Sequence, residues 1–593
     1  MKSAADYFRE LREEQQTRVA VLRRRYGRLA VVRLFVFFGW VALLIFLVST
    51  VWWWGVVAFL LSVPLFAYGI GRHRAIAREA ELASAKVEVA ERELAALRHD
   101  FAAFDGEAPH PFTDHPYALD LDLFGDDSLL QFLNRTVTHP GKARLVRQLT
   151  GPVKEEERAR TQVRSKEWAA EPDWCVTFRA LGEGLADRPE YFSRLIEWLK
   201  RPPVVSNGPE RHLVTLSPLF TLGGLAWMLT MSPWQLGVLA FLPALYLIRK
   251  YREAAATEHA YTAQTARLLK GYAELMGHLE HHPRGNAGTR GATGALRKLA
   301  YRAGQLDLRY NPFVVLLEIG GLWSLRWLRS LDRWRAEHTE DLLRWLEQLA
   351  EADALVSWAT LRFERPHWAE MEVIEKPLIS GEDLGHPLID PAVRVGNDLH
   401  LATDGHIQLV TGSNMAGKST WLRTVGVNLV LGMAGGPVCA RHLRTRPLQV
   451  WTSLRTHDDL SEHTSSFYAE LKRLRAIIGA VADPGRPVFF LLDEILKGTN
   501  SRDRHTGSRA LIRQLIRERG SGIIATHDLE LAELAAEPGS RVENFAMEVR
   551  VEGEELVFDY RLRPGVCQSF NATALMARMG IEIPPDEISL RHD

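Results

Sequence analysis

Residues Leu34 to Ile70 run without a single charged side chain and are dense in Phe, Trp, Val and Leu. Soluble cores rarely sustain such a pattern over that length. A helix that crosses the hydrocarbon of a bilayer needs about 17–25 residues, so the stretch suits two short spans better than one. Trp52, Trp53 and Trp54 fall at its middle, where aromatic rings would mark the far interface of a hairpin. Arg23, Arg24, Arg25, Arg28 and Arg33 precede it, and Arg72, Arg74 and Arg78 follow. Positive charge on both flanks predicts that both ends stay in the cytoplasm.

Leu213 to Ile248 repeats the pattern, with Ser232-Pro233 near its middle, Arg211 before it, and Arg249, Lys250 and Arg252 after it. Four short spans are therefore expected, in the inner or cytoplasmic membrane, with the remaining domains facing the cytoplasm. The alternative is two buried hairpins in a large soluble core. A third apolar run, Phe313 to Leu325, is short and carries Glu318, and it reads as a core helix. Met1 to Arg28 is charged throughout and shows no hydrophobic signal core.

A chain of 593 residues has room for several domains. Its 73 Lys and Arg cancel 73 Asp and Glu, so it lacks the bulk basic charge of a protein that coats nucleic acid, although a local patch can hide in a neutral total. Cys175, Cys439 and Cys567 are scattered, without metal-ligand spacing, and read as reduced thiols.

The chemistry lies toward the C-terminus. His406 to Val410 is a short apolar strand, followed by Thr411, Gly412, Ser413, Asn414, Met415, Ala416, Gly417, Lys418, Ser419 and Thr420. This is GxxxxGK[ST] between a strand and a helix, a phosphate-binding loop. Its glycines let backbone N–H groups turn toward phosphate, and the helix that follows adds a positive dipole end. Lys418 is expected on the β- and γ-phosphates of ATP, and Ser419 on Mg²⁺. Pro487 to Leu492 is a wholly apolar strand, as a central parallel strand requires, and it ends in Asp493-Glu494. Asp493 would hold Mg²⁺, and Glu494 would polarise the attacking water as general base. Gly522 to Ala525 is another apolar strand, leading to Thr526-His527-Asp528, where His527 could sense the γ-phosphate.

Taken together these segments resemble the ATPase of the MutS mismatch-repair family. Thr411 to Thr420, with Asn-Met before the last glycine, is similar to the family's phosphate loop. Asp493 to Ser501 is similar to its Walker B and D-loop segment, and Ala525-Thr526-His527 to its histidine motif. Asp458-Asp459-Leu460 followed by Ser465-Ser466-Phe467 looks like the family segment that completes a neighbouring subunit's site. The resemblance implies a homodimer with composite sites to which Ser465 or Ser466 contributes in trans. Tyr560 through Gly565 and Ser569, with Ala572 and Gly580-Ile581 beyond, resembles the family's closing strand and helix. Leu496-Lys497 stands where mismatch-repair members carry Gly-Arg, and no aromatic follows Gly385-His386-Pro387 at the adenine-stacking position.

The likeness extends upstream to Ala118–Thr177 and covers Leu316 to Pro584, but the space expected for mismatch-reading and connector domains holds the first hairpin and a charged helix, Ala75 to Arg98. Between hairpin and core, Arg284, Arg290, Arg297, Lys298 and Arg302 form a basic set suited to phosphate, from DNA or from lipid headgroups.

The expected fold is an α/β P-loop, ABC-type ATPase domain plus an all-α core and lever domain bearing two transmembrane helical hairpins. The expected order is a cytoplasmic helix at 1–33, hairpins at 34–70 and 213–248, a charged helix at 71–117, core and lever helices at 118–212 and 249–370, and the ATPase at 371–593. The expected function is a membrane-anchored, MutS-like, Mg²⁺-dependent ATP hydrolase with DNA-binding capacity. The competing reading is an ABC-type transport or membrane-remodelling ATPase with no DNA role.

Overall fold

The computed structural model describes residues 2–593 except 51, 186, 205–209, 263–264, 283–286, 309–311, 414, 456–465, 484, 553–554 and 569–593. The chain forms two compact units. One comprises Met1–Leu94, Arg135–Arg144 and Asp173–Val356; the other comprises Ala95–Asn134, Leu145–Pro172 and Ser357–Asp593.

The helices in chain order are α1 (Ala4–Thr50), α2 (Trp52–Leu97), α3 (Leu129–Leu133), α4 (His139–Thr150), α5 (Glu155–Ala169), α6 (Pro172–Gly182), α7 (Pro189–Lys200) and α8 (Glu210–Thr230). After α8 a 3₁₀ segment, Trp234–Phe241, precedes α9 (Leu242–Thr262), α10 (Thr265–Glu280), α11 (Ala292–Asp307), α12 (Pro312–Gly321) and α13 (Trp323–Glu364).

The first unit is helical. α1 and α2 form an antiparallel hairpin, joined by Trp40 against Phe59 at 6.1 Å, Phe37 against Phe66 at 6.0 Å and Tyr26 against His73 at 3.9 Å between ring centroids. The helices do not break where the charge pattern changes. The N-terminal polar segment and the first span are one helix of 47 residues, and the second span continues into the charged helix as one of 46, each about 70 Å long. Backbone hydrogen bonding is indifferent to side-chain polarity, so a helix can leave the apolar zone without interruption.

Among the described residues three helices are long and apolar enough to cross a membrane: α1, α2 and α8. The fourth expected span does not reach that length. Pro233 caps the 3₁₀ segment and Pro243 sits in the first turn of α9, so the return limb is split, and α9 becomes charged at Arg249. A proline lacks the N–H that a continuous α-helix would need there. The apolar run at Phe313–Leu325 also departs from a core helix: α12 lies against α8 and α9, with Leu317 and Ile319 exposed.

Elsewhere the unit is tightly bonded. Glu93 is fully buried and receives the Nε of buried Arg135 at 2.8 Å together with Arg179. Asp353, also fully buried, accepts the backbone N–H groups of Val137 (3.0 Å) and Thr138 (2.8 Å) and the Thr138 hydroxyl (2.6 Å), which fixes the entry to α4. The Gly-rich stretch before α11 ends at Gly291, whose φ of 82° lies in the left-handed region.

The second unit holds the sheets. Its strands are β1 (Ala369–Val373), β2 (Leu378–Leu384), β3 (Asn397–Ala402), β4 (Ile407–Gly412), β5 (Pro437–Val438), β6 (His442–Thr445), β7 (Gln449–Ser453), β8 (Val488–Asp493), β9 (Ser521–Thr526), β10 (Val542–Glu552) and β11 (Glu555–Pro564). Interleaved with them are α14 (Lys418–Met433), α15 (Ser466–Ala482) and α16 (Ser501–Arg517). A smaller mixed sheet runs β3-β2-β6-β1-β5, and the main sheet runs β11-β10-β4-β9-β8-β7. In the main sheet every pairing is parallel except the β10–β11 hairpin.

β4, β8 and β9 are buried at every position, as strands covered on both faces must be. The edge strand β7 is protected: the Thr452 N–H donates to Pro116 O at 2.9 Å, and buried Asp120 accepts the Thr452 hydroxyl at 2.7 Å.

Candidate nucleotide site

In a parallel sheet the side chains that follow the C-terminal strand ends converge in one crevice. Here β9 lies between β4 and β8, with Thr411 opposite Thr526 and Asp493 opposite Ala525. That register brings three segments distant in sequence to one edge: the loop Gly412 to Gly417 after β4, Asp493-Glu494 at the end of β8, and His527 after β9.

Lys418 opens α14 and is buried; its ammonium donates to the carbonyls of Gly412 (2.7 Å) and Ser413 (2.9 Å) inside the loop. Burial lowers its pKa, opposed by Glu494 and Asp493. Met415 is exposed with φ 74°, Ala416 is buried, and Gly417 caps α14 with φ 98°. Thr420, in the first turn of α14, is exposed. Asn414 and Ser465 lie outside the described residues, and Ser466 begins α15.

The Ser419 hydroxyl hydrogen-bonds the Asp493 carboxylate, and burial pushes that carboxyl upward. Two hard oxygen donors side by side at the end of a buried strand fit the ligand preference of Mg²⁺. Glu494 is half-buried. Burial works to raise its carboxyl, but Lys497, His527 and Lys418 together hold it below the usual carboxylate range. Lys497 Nζ lies 3.5 Å from one carboxylate oxygen and His527 Nδ1 lies 3.5 Å from the other. Glu494 thus stays ionised near neutral pH, as a general base must.

Several further residues shape the site. Tyr560 on β11 places its exposed ring against the phosphate loop: a Cβ at Gly417 would come within 2.9 Å of the ring. Its backbone sits at φ 51°, a costly conformation for a bulky residue. Asn397 holds it there, donating to Tyr560 O at 2.9 Å and accepting from Leu562 N–H at 2.8 Å. Met415, Glu494, Leu496 and Tyr560 all adopt left-handed φ, a clustering of strain that accompanies functional sites.

Glu470 on α15 accepts the Leu496 N–H, and Gly498 allows close packing, since a Cβ there would meet Phe467 at 2.6 Å. His505 on α16 binds Asp528 through Nδ1 at 3.0 Å, with Glu530 3.6 Å from Nε2 on the opposite ring edge. Carboxylates on opposite edges of one imidazole make a clamp, not a metal-ligand set. Asn428 on α14 ties the Gly385 loop in place, donating to Gly385 O at 3.0 Å and accepting from Cys439 N–H at 2.7 Å. These links join positions far apart in sequence, so no local pattern announces them.

Residues 408–590 match the family model "MutS domain V". The chain is 32% identical over 237 residues to the DNA mismatch repair protein MutS of Methanosarcina mazei, covering 38% of this chain and 26% of that protein. It is 30% identical over 238 residues to the DNA mismatch repair protein MutS of Thermotoga neapolitana, covering 39% and 28%. The chain therefore aligns with only about a quarter of the length of these relatives. Over residues 408–590 the strand register, phosphate loop and matched residues are similar to those of MutS domain V.

Proposed function

We propose that this protein is a membrane-anchored, MutS-type ATPase that binds and hydrolyses ATP with Mg²⁺. The observation that carries the reading is the meeting of Lys418, the Ser419–Asp493 pair, Glu494 and His527 at the ends of three adjacent parallel strands. In this reading the N–H groups from Gly412 to Thr420 cradle the phosphates, and Lys418 turns its ammonium from the loop carbonyls to the β- and γ-oxygens. Ser419 and Asp493 would hold Mg²⁺, which would supply charge neutralisation at the phosphate oxygens. Glu494 accepts a proton from the attacking water, and His527 beside it donates toward the γ-phosphate. Tyr560 offers its ring as a stacking face for the base.

The family relation supports a homodimer in which Ser465 or Ser466 completes the partner's site. The apolar exteriors of α1, α2 and α8 support integral anchoring, and the arginines of α1 and α2 on either side of the Leu34–Ile70 stretch support a cytoplasmic placement of both units. ATP turnover would then drive the helical arms. The relatives are named for DNA mismatch repair, which supports a DNA partner. The exposed residues Arg290, Arg297 and Lys298 are available to phosphate. A second reading, a transport or remodelling ATPase without DNA, is favoured by the apolar hairpin in the N-terminal region.

One experiment separates them: ATPase activity of the detergent-purified protein with and without homoduplex, mismatched and branched DNA. Stimulation by DNA supports the first reading. Robust turnover indifferent to every DNA removes its DNA half, and no turnover removes both.

A further inference from the structure

α12 has ten residues and one charged side chain, Glu318. It packs against α8 and α9, and the Thr221 hydroxyl of α8, itself 2% exposed, bonds the carbonyl of Gly320. Away from that seam Leu317 and Ile319 are 49% and 40% exposed, and Leu216, Leu219, Leu222 and Leu225 of the neighbouring α8 are exposed as well. Exposed apolar side chains on a helix packed against another apolar helix are what water would penalise and acyl chains would not.

The one charged side chain of α12 has a local partner. Glu318 Oε2 accepts both the backbone N–H and the hydroxyl of Ser324 at 2.8 Å, capping the first turn of α13. That is the pairing a carboxylate needs at the edge of hydrocarbon. Immediately beyond stands an aromatic group: Tyr301, 60% exposed, meets Trp327 edge-on at 5.7 Å, and Trp327 meets Trp323 at 5.8 Å. The Trp323 indole N–H donates to Gln305 O at 3.0 Å. Basic residues follow: exposed Arg326, then Arg329, whose guanidinium donates to Thr215 Oγ1 near the start of α8 at 2.7 Å. Apolar surface, aromatic rings and then arginines, in that order, trace a bilayer interface from inside to outside.

We propose that α12 is a lipid-embedded helix that enters the acyl layer beside α8 and returns to the same side, with Tyr301, Trp323 and Trp327 at headgroup level. The occupant of its outer face is lipid acyl chain. This rests on the membrane-anchored reading, and the test separates the two.

The native cysteines are buried. The full-length variants Leu317→Cys, Phe35→Cys on α1 and Val163→Cys on α5 can thus be labelled selectively with an environment-sensitive fluorophore. Each is reconstituted into phosphatidylcholine–phosphatidylglycerol vesicles with or without acyl-brominated lipid, and iodide is added from the aqueous side. The expected result is bromolipid quenching at 317 and 35 at least threefold stronger than at 163, with iodide the reverse. Iodide quenching at 317 beside lipid quenching at 35 overturns the proposal and leaves the anchor standing. Water-like behaviour at both positions overturns the anchor and the proposal together. Shielding at 317 from both quenchers means a protein covers the face, a second copy included, and also overturns the proposal. Ile319→Cys replaces Leu317→Cys should that variant fail to fold.

Discussion

Val488–Leu492 of β8 and the Leu34–Ile70 stretch are both charge-free and apolar, yet they meet opposite fates. Every residue of β8 is buried between helices, whereas Phe35, Leu60 and Leu61 stand 74%, 63% and 70% exposed. Length decides the difference. Six residues span a parallel sheet and can be covered on both faces by α14, α15 and α16. Helices of 46 and 47 residues leave much of their apolar stretch exposed, and that surface is costly in water. An apolar run is thus a statement about solvent only when its length is read with it.

The comparison breaks first at the site that β8 delivers. Glu494→Gln should lower kcat for ATP by about 10²–10⁴-fold while ATP binding persists, measured by steady-state turnover alongside nucleotide binding. Unchanged hydrolysis would mean that burial of β8 serves packing alone and that another group is the base.

Within the helical unit, Asp353→Ala leaves the Val137 and Thr138 donors unpaired and should cost about 3 kcal/mol, read from thermal or denaturant unfolding in detergent. Burial pushes the Asp353 carboxyl up to about 7. A folded value above the unfolded one means that the contribution is fully present below about pH 4 and is lost as pH rises through about 7. The variant's deficit should therefore be largest in acid and narrow above neutrality. A deficit that grows with pH would contradict the burial-dominated reading.

A subtler effect is expected at the clamp behind His527. His505→Leu should lower kcat roughly 10-fold at unchanged KM for ATP, since the loss is of positioning and not of binding. His505→Asn keeps a donor near the Nδ1 position and should recover most of it. Equal losses in both variants would assign His505 to packing.

The smallest effect is a shift. Lys497→Met removes a cation 3.5 Å from Glu494, so the Glu494 carboxyl should rise and the acid limb of the kcat–pH profile should move upward. An unmoved limb would show that His527 and Lys418 suffice.

The legible part of this protein is the part written locally. Strands β4, β8 and β9 fall where the apolar runs place them, because burial on both faces forces continuous hydrophobicity. The phosphate loop, Asp493-Glu494 and His527 fall at their ends, because those ends are where a parallel sheet exposes side chains. The boundaries at 33/34 and 70/71 were drawn from charge and vanished in continuous helices, since helix hydrogen bonds do not register polarity.

By itself the sequence determined the buried parallel strands β4, β8 and β9, the motif residues at their ends and the apolar character of α1, α2 and α8. Tertiary structure alone decided that the return limb after α8 is split by Pro233 and Pro243, and that α12 lies along α8. It also decided that Tyr560 faces the phosphate loop in a strained backbone held by Asn397, and that His505 reaches Asp528. The reason is physical: hydrophobic period and turn chemistry act over a few residues. Strain, clamps and shared apolar faces depend on atoms brought together from well beyond that range, as His505 and Asp528 or Asn397 and Tyr560 are.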